Sequence, residues 1–182
     1  MNDDKNNIYK KEVFLSDEEQ TSSLARQLAP MLCGAVPGME KGGRIHLRGD
    51  LGAGKTSFVR ALLRASGVTG RIKSPSYGLL ESYNVSNLYF YHLDFYRFNI
   101  STDWEDAGFR EILQNNAVVL IEWPEQAGSR LPLPDLDVRL DYDGSGRKAV
   151  LTAHSKKGKL WLTTLALPQT ESQPPACPGD GC

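Results

Sequence analysis

The chain has 182 residues, 40% of them hydrophobic and 24% charged, which fits one soluble folding unit needing neither disulfides nor a structural metal. Lys and Arg total 21 against 22 Asp and Glu, a net charge of −1, and this argues against a protein whose main task is gripping nucleic-acid backbone. The longest aliphatic run, at 118–121, is far too short for a bilayer, and the opening MNDDKNNIYKKEV has no secretory apolar stretch, so a cytoplasmic protein without membrane association is expected.

In chain order, the first structural signal is Ser16-Asp17-Glu18-Glu19, a Ser followed three residues later by Glu, which fits a capping box. Leu24, Leu28, Met31 and Leu32 recur at helical spacing and predict a helix ending near Met31 or Cys33. After Pro37, Gly38, Gly42 and Gly43, Ile45 and Leu47 alternate with His46 and Arg48 in a short strand. A second helix starts at Lys55, carries Phe58, Val59, Leu62 and Leu63, and stops at Gly67. Segments 72–83 and 88–94 are rich in strand formers. Ser101, Thr102 or Asp103 is placed to cap a helix with Trp104, Phe109, Ile112 and Leu113. AVVLIE, at 117–122, is an apolar run ending in a carboxylate, as in a strand buried on both faces. Segments 136–142 and 148–153 flank Asp143-Gly144-Ser145-Gly146 and predict a hairpin, while 161–167 fits either an edge strand or a short helix. Together these predict a single α/β domain over 1–167, with a mixed sheet flanked by helices and a late hairpin. Residues 168–182 read as a disordered Pro/Gly-rich tail, whose Cys177 and Cys182, like Cys33, form no CxxC pair.

Gly49-Asp50-Leu51-Gly52-Ala53-Gly54-Lys55-Thr56 satisfies G-x-x-x-x-G-K-[ST] at every position. Its glycines let backbone N–H groups turn inward around an anion, and the following helix presents its positive end to phosphates. Lys55 is the residue to reach the β- and γ-phosphates, and the Thr56 hydroxyl is the one to coordinate Mg2+. A P-loop nucleotide site follows. His46 and Arg48 fit less well, being polar for a central parallel strand; either one face is partly solvated or they have partners. The magnesium needs a further carboxylate at a strand end, where open α/β sheets bind ligands. Asp94, closing YFYHLD, and Glu122, closing AVVLIE, both qualify.

Several P-loop classes remain to be separated. The guanine-reading NKxD of GTPases is absent, and the DxxG at 141–144 falls on the hairpin turn. Arg110, Arg130 and Arg139 are scattered without a lid segment of the kind small-molecule kinases use. A small P-loop kinase acting on a metabolite stays open as an alternative, as does a nucleotide-dependent interaction switch.

Four segments taken together, GDLGAGKTSFVRALL, KSPSYGLLESY (73–83), YHLDFYR (91–97) and IEWPE (121–125), resemble the TsaE (YjeE) family of bacterial P-loop ATPases. The resemblance runs from Ser16 and Thr21 to about Tyr142; the P-loop is generic, but its combination with SP[TS][YF], H-x-D-x-Y-R and EW is specific. It implies that residues Gly49 to Thr56 bind ATP with Trp123 beside the pocket, and that Thr56 and Glu122 hold Mg2+. Asp94 would act on the γ-phosphate side through water. Ser74-Pro75-Ser76-Tyr77 would form a switch-like loop, with Ser76 where Thr is usual. The family also implies partners, TsaB and TsaD, the latter forming N6-threonylcarbamoyladenosine in tRNAs that read codons beginning with A. ATP hydrolysis would support turnover of that transfer, and tRNA would be met only through the complex. The residues themselves leave Trp123 open between pocket wall and packing, His92 between core and site, and Arg97 between a partner for Asp94 and a contact to another protein.

Overall fold

The computed structural model describes residues 9–75, 78–97, 109–113 and 116–167. Among them, seven strands form one mixed sheet in the order β1-β7-β6-β2-β5-β4-β3. In chain order the elements are β1 (Tyr9–Leu15), α1 (Glu18–Leu32), β2 (Gly43–Arg48), α2 (Lys55–Ala65), β3 (Leu80–Val85), β4 (Leu88–Asp94) and α3 (Phe109–Ile112). There follow β5 (Val118–Glu122), a 3-10 helix (Pro124–Arg130), β6 (Leu136–Asp143), β7 (Gly146–Ala153) and α4 (Lys156–Thr164). The central strands β6, β2, β5 and β4 are parallel neighbours, while β1, β7 and β3 add antiparallel edges. Every residue of β5 is buried, as its unbroken apolar run requires of a strand covered on both faces.

The apolar side chains divide between the two faces. Leu28 and Leu32 of α1, Phe58 and Leu62 of α2 and Trp161 of α4 join Ile45, Leu47, Phe90 and Leu120 in the larger cluster. On the other face Leu93, Phe95, Val119 and Ile121 pack with Phe109, Leu113 and Ala127. No helix among the described residues is long and apolar enough to cross a membrane.

Some local expectations shift. Asp17 rather than Ser16 caps α1: its side chain accepts from Gln20 N at 2.9 Å, and Gln20 Oε1 accepts from Ser16 N at 3.0 Å. This is a variant of the capping box one residue later than Ser16–Glu19 suggested, with Gln20 reaching the N–H just before the cap rather than the cap's own. Of segment 161–167 the part to Thr164 is helix, because Ser155 Oγ accepts from Gly158 N at 3.0 Å and starts α4 upstream, and at Leu165 the backbone is extended. The hairpin forms as expected, with Asp143 opposite Gly146. The caps proposed at 101–103, Trp104 and the tail at 168–182 lie outside the described residues.

Arg48 and His46 resolve in different ways. Arg48 Nε donates to Asp137 at 2.6 Å and Nη1 to Glu125 at 3.0 Å, so its polarity on β2 is paired. His46 is 3% exposed, with neither ring nitrogen bonded among the described residues. Burial first, then the nearby cations Arg48 and Arg44, pushes its pKa down to about 3. The neutral form is therefore the folded form, and its stability contribution is present above the ordinary imidazole value and lost as pH falls toward the depressed one. Between pH 6.5 and 5 this group is expected to remove about 2 kcal/mol of stability. Denaturant titrations of the wild type and His46→Phe at both pH values check this; an equal acid loss in both would reject it.

Candidate functional site

Three adjacent parallel strands, β2, β5 and β4, end at one edge of the sheet. Leu47 stands beside Glu122, and Glu122 beside Asp94, so the two carboxylates close neighbouring strands. They share the sheet face of Leu120 and Phe90, the face covered by α2, because side chains alternate along a strand. After Arg48 the chain turns through the glycine-rich loop into α2. Gly49 has φ +129, and a Cβ there would lie 2.1 Å from the Leu140 carbonyl oxygen of β6, so only glycine fits. Gly54, at φ +108, precedes α2 with no side-chain cap, leaving the positive helix end to an outside anion.

Inside this frame the polar side chains converge. Thr56 Oγ1 lies 3.0 Å from both oxygens of Glu122, and His92 Nε2 lies 2.8 Å from Oε1. Lys55 is buried; its Nζ donates to the carbonyls of Gly49 (2.6 Å) and Asp50 (2.8 Å) and sits 4.0 Å from the Trp123 ring centroid. Desolvation lowers the Lys55 pKa, opposed by Glu122 and other nearby carboxylates. Trp123 adopts a left-handed φ of 56, held by its N–H to Leu47 O at 3.2 Å and by Gln126 N to its own carbonyl at 3.0 Å. That rare backbone state for a bulky residue turns the indole over Lys55 and against Tyr96, whose ring centroid is 5.0 Å away.

Lys55, Thr56, Asp94, Tyr96, Glu122 and Trp123 line a cleft of about 450 Å³, together with Leu51, Gly52, Gly54, Ser57, Ser74 and Arg97. Thus Lys55, Thr56, Asp94, Glu122 and Trp123 are brought to one place, and His92 bonds Glu122 from within the core. The Asp50 side chain does not line the cleft; its carbonyl serves Lys55 instead. Ser76 and Tyr77 lie outside the described residues, as do the side chains of Arg110 and Arg130.

Burial raises the pKa of Asp94, while the N–H that Tyr96 donates to Oδ1 at 2.9 Å pulls it back. A raised carboxyl pKa means folded-state stability falls as pH rises from the ordinary value through the elevated one. Asp94→Asn keeps the oxygen that Tyr96 needs and removes the buried charge. It is therefore expected to raise the melting temperature at neutral pH, by about 2–4 °C, and a melting curve showing a decrease would refute this.

Two contributors were not singled out from the sequence. Tyr142 and Arg147 face each other across the β6–β7 hairpin, and Arg147 stacks its guanidinium 4.1 Å from the Tyr142 ring. Tyr142 donates to Leu51 O at 3.0 Å and Arg147 Nε to Ala53 O at 3.2 Å, so the hairpin grips the loop's backbone. The signal was present, since a two-residue turn at 144–145 places 142 and 147 opposite each other. A second cavity of about 180 Å³ lies beside this grip, lined by Asp17, Thr21 and Arg147, and shares Gly52, Gly54 and Ser57 with the main cleft.

A strand, a glycine-rich loop ending in Lys-Thr, a helix and carboxylates on neighbouring strand ends define the P-loop class of α/β proteins. Within that class the family model "Threonylcarbamoyl adenosine biosynthesis protein TsaE" matches residues 15–150, and the chain belongs to the TsaE family. It is 39% identical over 120 residues to the tRNA threonylcarbamoyladenosine biosynthesis protein TsaE of Haemophilus influenzae, covering 66% of this chain and 76% of that one. It is 35% identical over 150 residues to the protein of the same name from Rickettsia felis, covering 81% and 83%. The crystal structure of Bacillus subtilis YdiB shares the fold, with a TM-score of 0.69 at 24% identity, over 87% of this chain and 95% of that one.

Proposed function

We propose that this chain is the ATP-binding and ATP-hydrolysing subunit of the cytoplasmic machinery that forms threonylcarbamoyladenosine in tRNA, acting with TsaB and TsaD. The observation that carries the reading is the meeting of Lys55, Thr56, Glu122 and Asp94 in one cleft beside the glycine-rich loop. The relatives' shared name, tRNA threonylcarbamoyladenosine biosynthesis protein, directs that chemistry to tRNA modification. With a net charge of −1, the chain is suited to meeting tRNA through the complex rather than holding it alone.

In this reading the loop's backbone N–H groups and the α2 end take the phosphates. Lys55 leaves the Gly49 and Asp50 carbonyls to bind the β- and γ-phosphates. The adjoining cavity by Asp17 and Thr21 offers the rest of the nucleotide a continuous path across the loop. Asp94 orients the attacking water, which adds to the γ-phosphorus as ADP leaves.

The donor chemistry at Thr56 and Glu122, a hydroxyl beside a carboxylate, suits Mg2+, a hard oxygen-seeking cation. Among the described residues no cluster of three His, Cys, Asp or Glu side chains is placed to hold a metal ion, which accords with a cation completed by phosphate oxygens and water. Magnesium would neutralise charge on the phosphates; Thr56 and Glu122 would hold it.

Thr56→Ala and Glu122→Gln are each expected to lose the Mg2+-dependent gain in ADP affinity, roughly tenfold or more, with little change in metal-free affinity. Calorimetric ADP titrations with and without Mg2+ measure this. Loss in Asp94→Asn with retention in Glu122→Gln would exchange the two carboxylates. Steady-state phosphate release by the purified chain tests hydrolysis, and phosphate appearing on a small acceptor instead of water would favour the kinase alternative.

A further inference from the structure

We propose that His92 is a positioning residue that fixes the Glu122 carboxylate for magnesium, an inference that rests on the nucleotide reading above. His92 stands on β4 two residues before Asp94 and is fully buried. Its Nε2 is 2.8 Å from Glu122 Oε1, and Glu122 is itself 2% exposed. An ionised carboxylate only accepts hydrogen bonds, so the shared hydrogen belongs to Nε2.

Thr56 alone cannot set the carboxylate's orientation. Its hydroxyl has one hydrogen and lies 3.0 Å from both oxygens, so it anchors the group at one point and leaves the tilt of its plane free. The imidazole adds the second anchor: it takes one oxygen, Oε1, and so fixes the plane with the other oxygen, also beside Thr56, left for the cation. A packing role explains less. Phe90, two residues back on β4, and Leu120, paired with His92 on β5, share this face and are apolar and fully buried, and a hydrophobic residue would fill the place of His92 without a desolvation cost. The imidazole bears that cost, since its Nδ1 has no partner among the described residues. Partners that orient a ligand from behind characteristically tune metal affinity in this way.

The test is ADP titration by calorimetry, with and without Mg2+, on the full chain as wild type, His92→Phe and His92→Gln, each first shown folded by its melting curve. In His92→Phe the metal-free affinity should stay within about twofold, while the gain brought by Mg2+ should fall about tenfold or more. His92→Gln, whose amide N–H extends to a similar reach, should keep most of that gain. If His92→Phe does not fold, His92→Asn, too short to reach Glu122, replaces it with the same expectation. A wild-type-sized Mg2+ gain in the Phe or Asn variant overturns the proposal, and so does an equal loss in the Gln variant. Failure of the underlying nucleotide reading would show separately, as absent ADP binding or an absent Mg2+ effect in the wild type.

Discussion

Replacing Lys55 by alanine is expected to lower ATP affinity and hydrolysis by about a hundredfold or more, with the melting temperature close to that of the wild type. The first part follows from charge-assisted hydrogen bonds to phosphate, worth about 1.5–3 kcal/mol each, of which the ammonium would make two or more in the proposed site. The second follows from how Lys55 is held without nucleotide. Its Nζ is satisfied by the Gly49 and Asp50 carbonyls and by the Trp123 ring, yet desolvation still lowers its pKa, a sign that the buried charge is a burden as well as a tether. Alanine removes both together and retains the helix-forming backbone at the start of α2. Calorimetric ATP titration, phosphate release and a melting curve on one preparation decide the matter. Unchanged affinity and turnover would sink the nucleotide assignment; a collapse of the melting temperature would make Lys55 a structural residue instead.

How much of this could be read from the chain depended on where the physical signal was local. The glycine-rich loop was legible because its glycines answer local backbone demands, Gly49 and Gly54 at positive φ among them, and β5 because four aliphatic residues run unbroken up to its closing Glu122. β1 was not legible. Lys10, Lys11 and Glu12 hide the alternation that buries Val13 and Leu15. The strand carries those charges because it is an edge: Glu12 pairs with Lys10 at 2.7 Å and with Lys148 of β7 at 2.6 Å, and these cations hold its carboxyl down at about 2. The site divides the same way. Asp94 and Glu122 announced themselves by ending apolar runs. The bond from His92 to Glu122 spans 30 positions, and only the β4–β5 register brings the two together. The left-handed backbone that aims Trp123 at Lys55 likewise leaves no mark in composition or spacing.

The isolated chain is expected to hydrolyse ATP slowly, and TsaB with TsaD to accelerate it by about tenfold or more. Phosphoryl transfer is limited by how well charge is placed around the γ-phosphate, and a stabilising cation supplied by a partner accounts for large accelerations in related chemistry. In this cleft Lys55 is the buried cation beside the loop, and in the proposed function it serves the ground-state phosphates. Arg97 lines the same cleft, on the segment that follows Asp94, and among the described residues of that cleft it is a candidate for stabilising charge as it develops. Leu51 and Tyr96, 68% and 44% exposed at the rim, give a docking protein apolar surface through which to order that segment over the nucleotide. Aromatic and apolar anchors at such a rim are the usual route by which binding energy fixes a geometry. Turnover measured alone, with TsaB and TsaD, and with Arg97→Ala in both settings separates the contributions. If docking acts by placing Arg97, the variant should keep its slow basal rate and lose most of the acceleration. If the partners bring their own cation, the acceleration should survive the substitution. Equal turnover with and without the partners would rule out activation by docking and return weight to a kinase acting by itself.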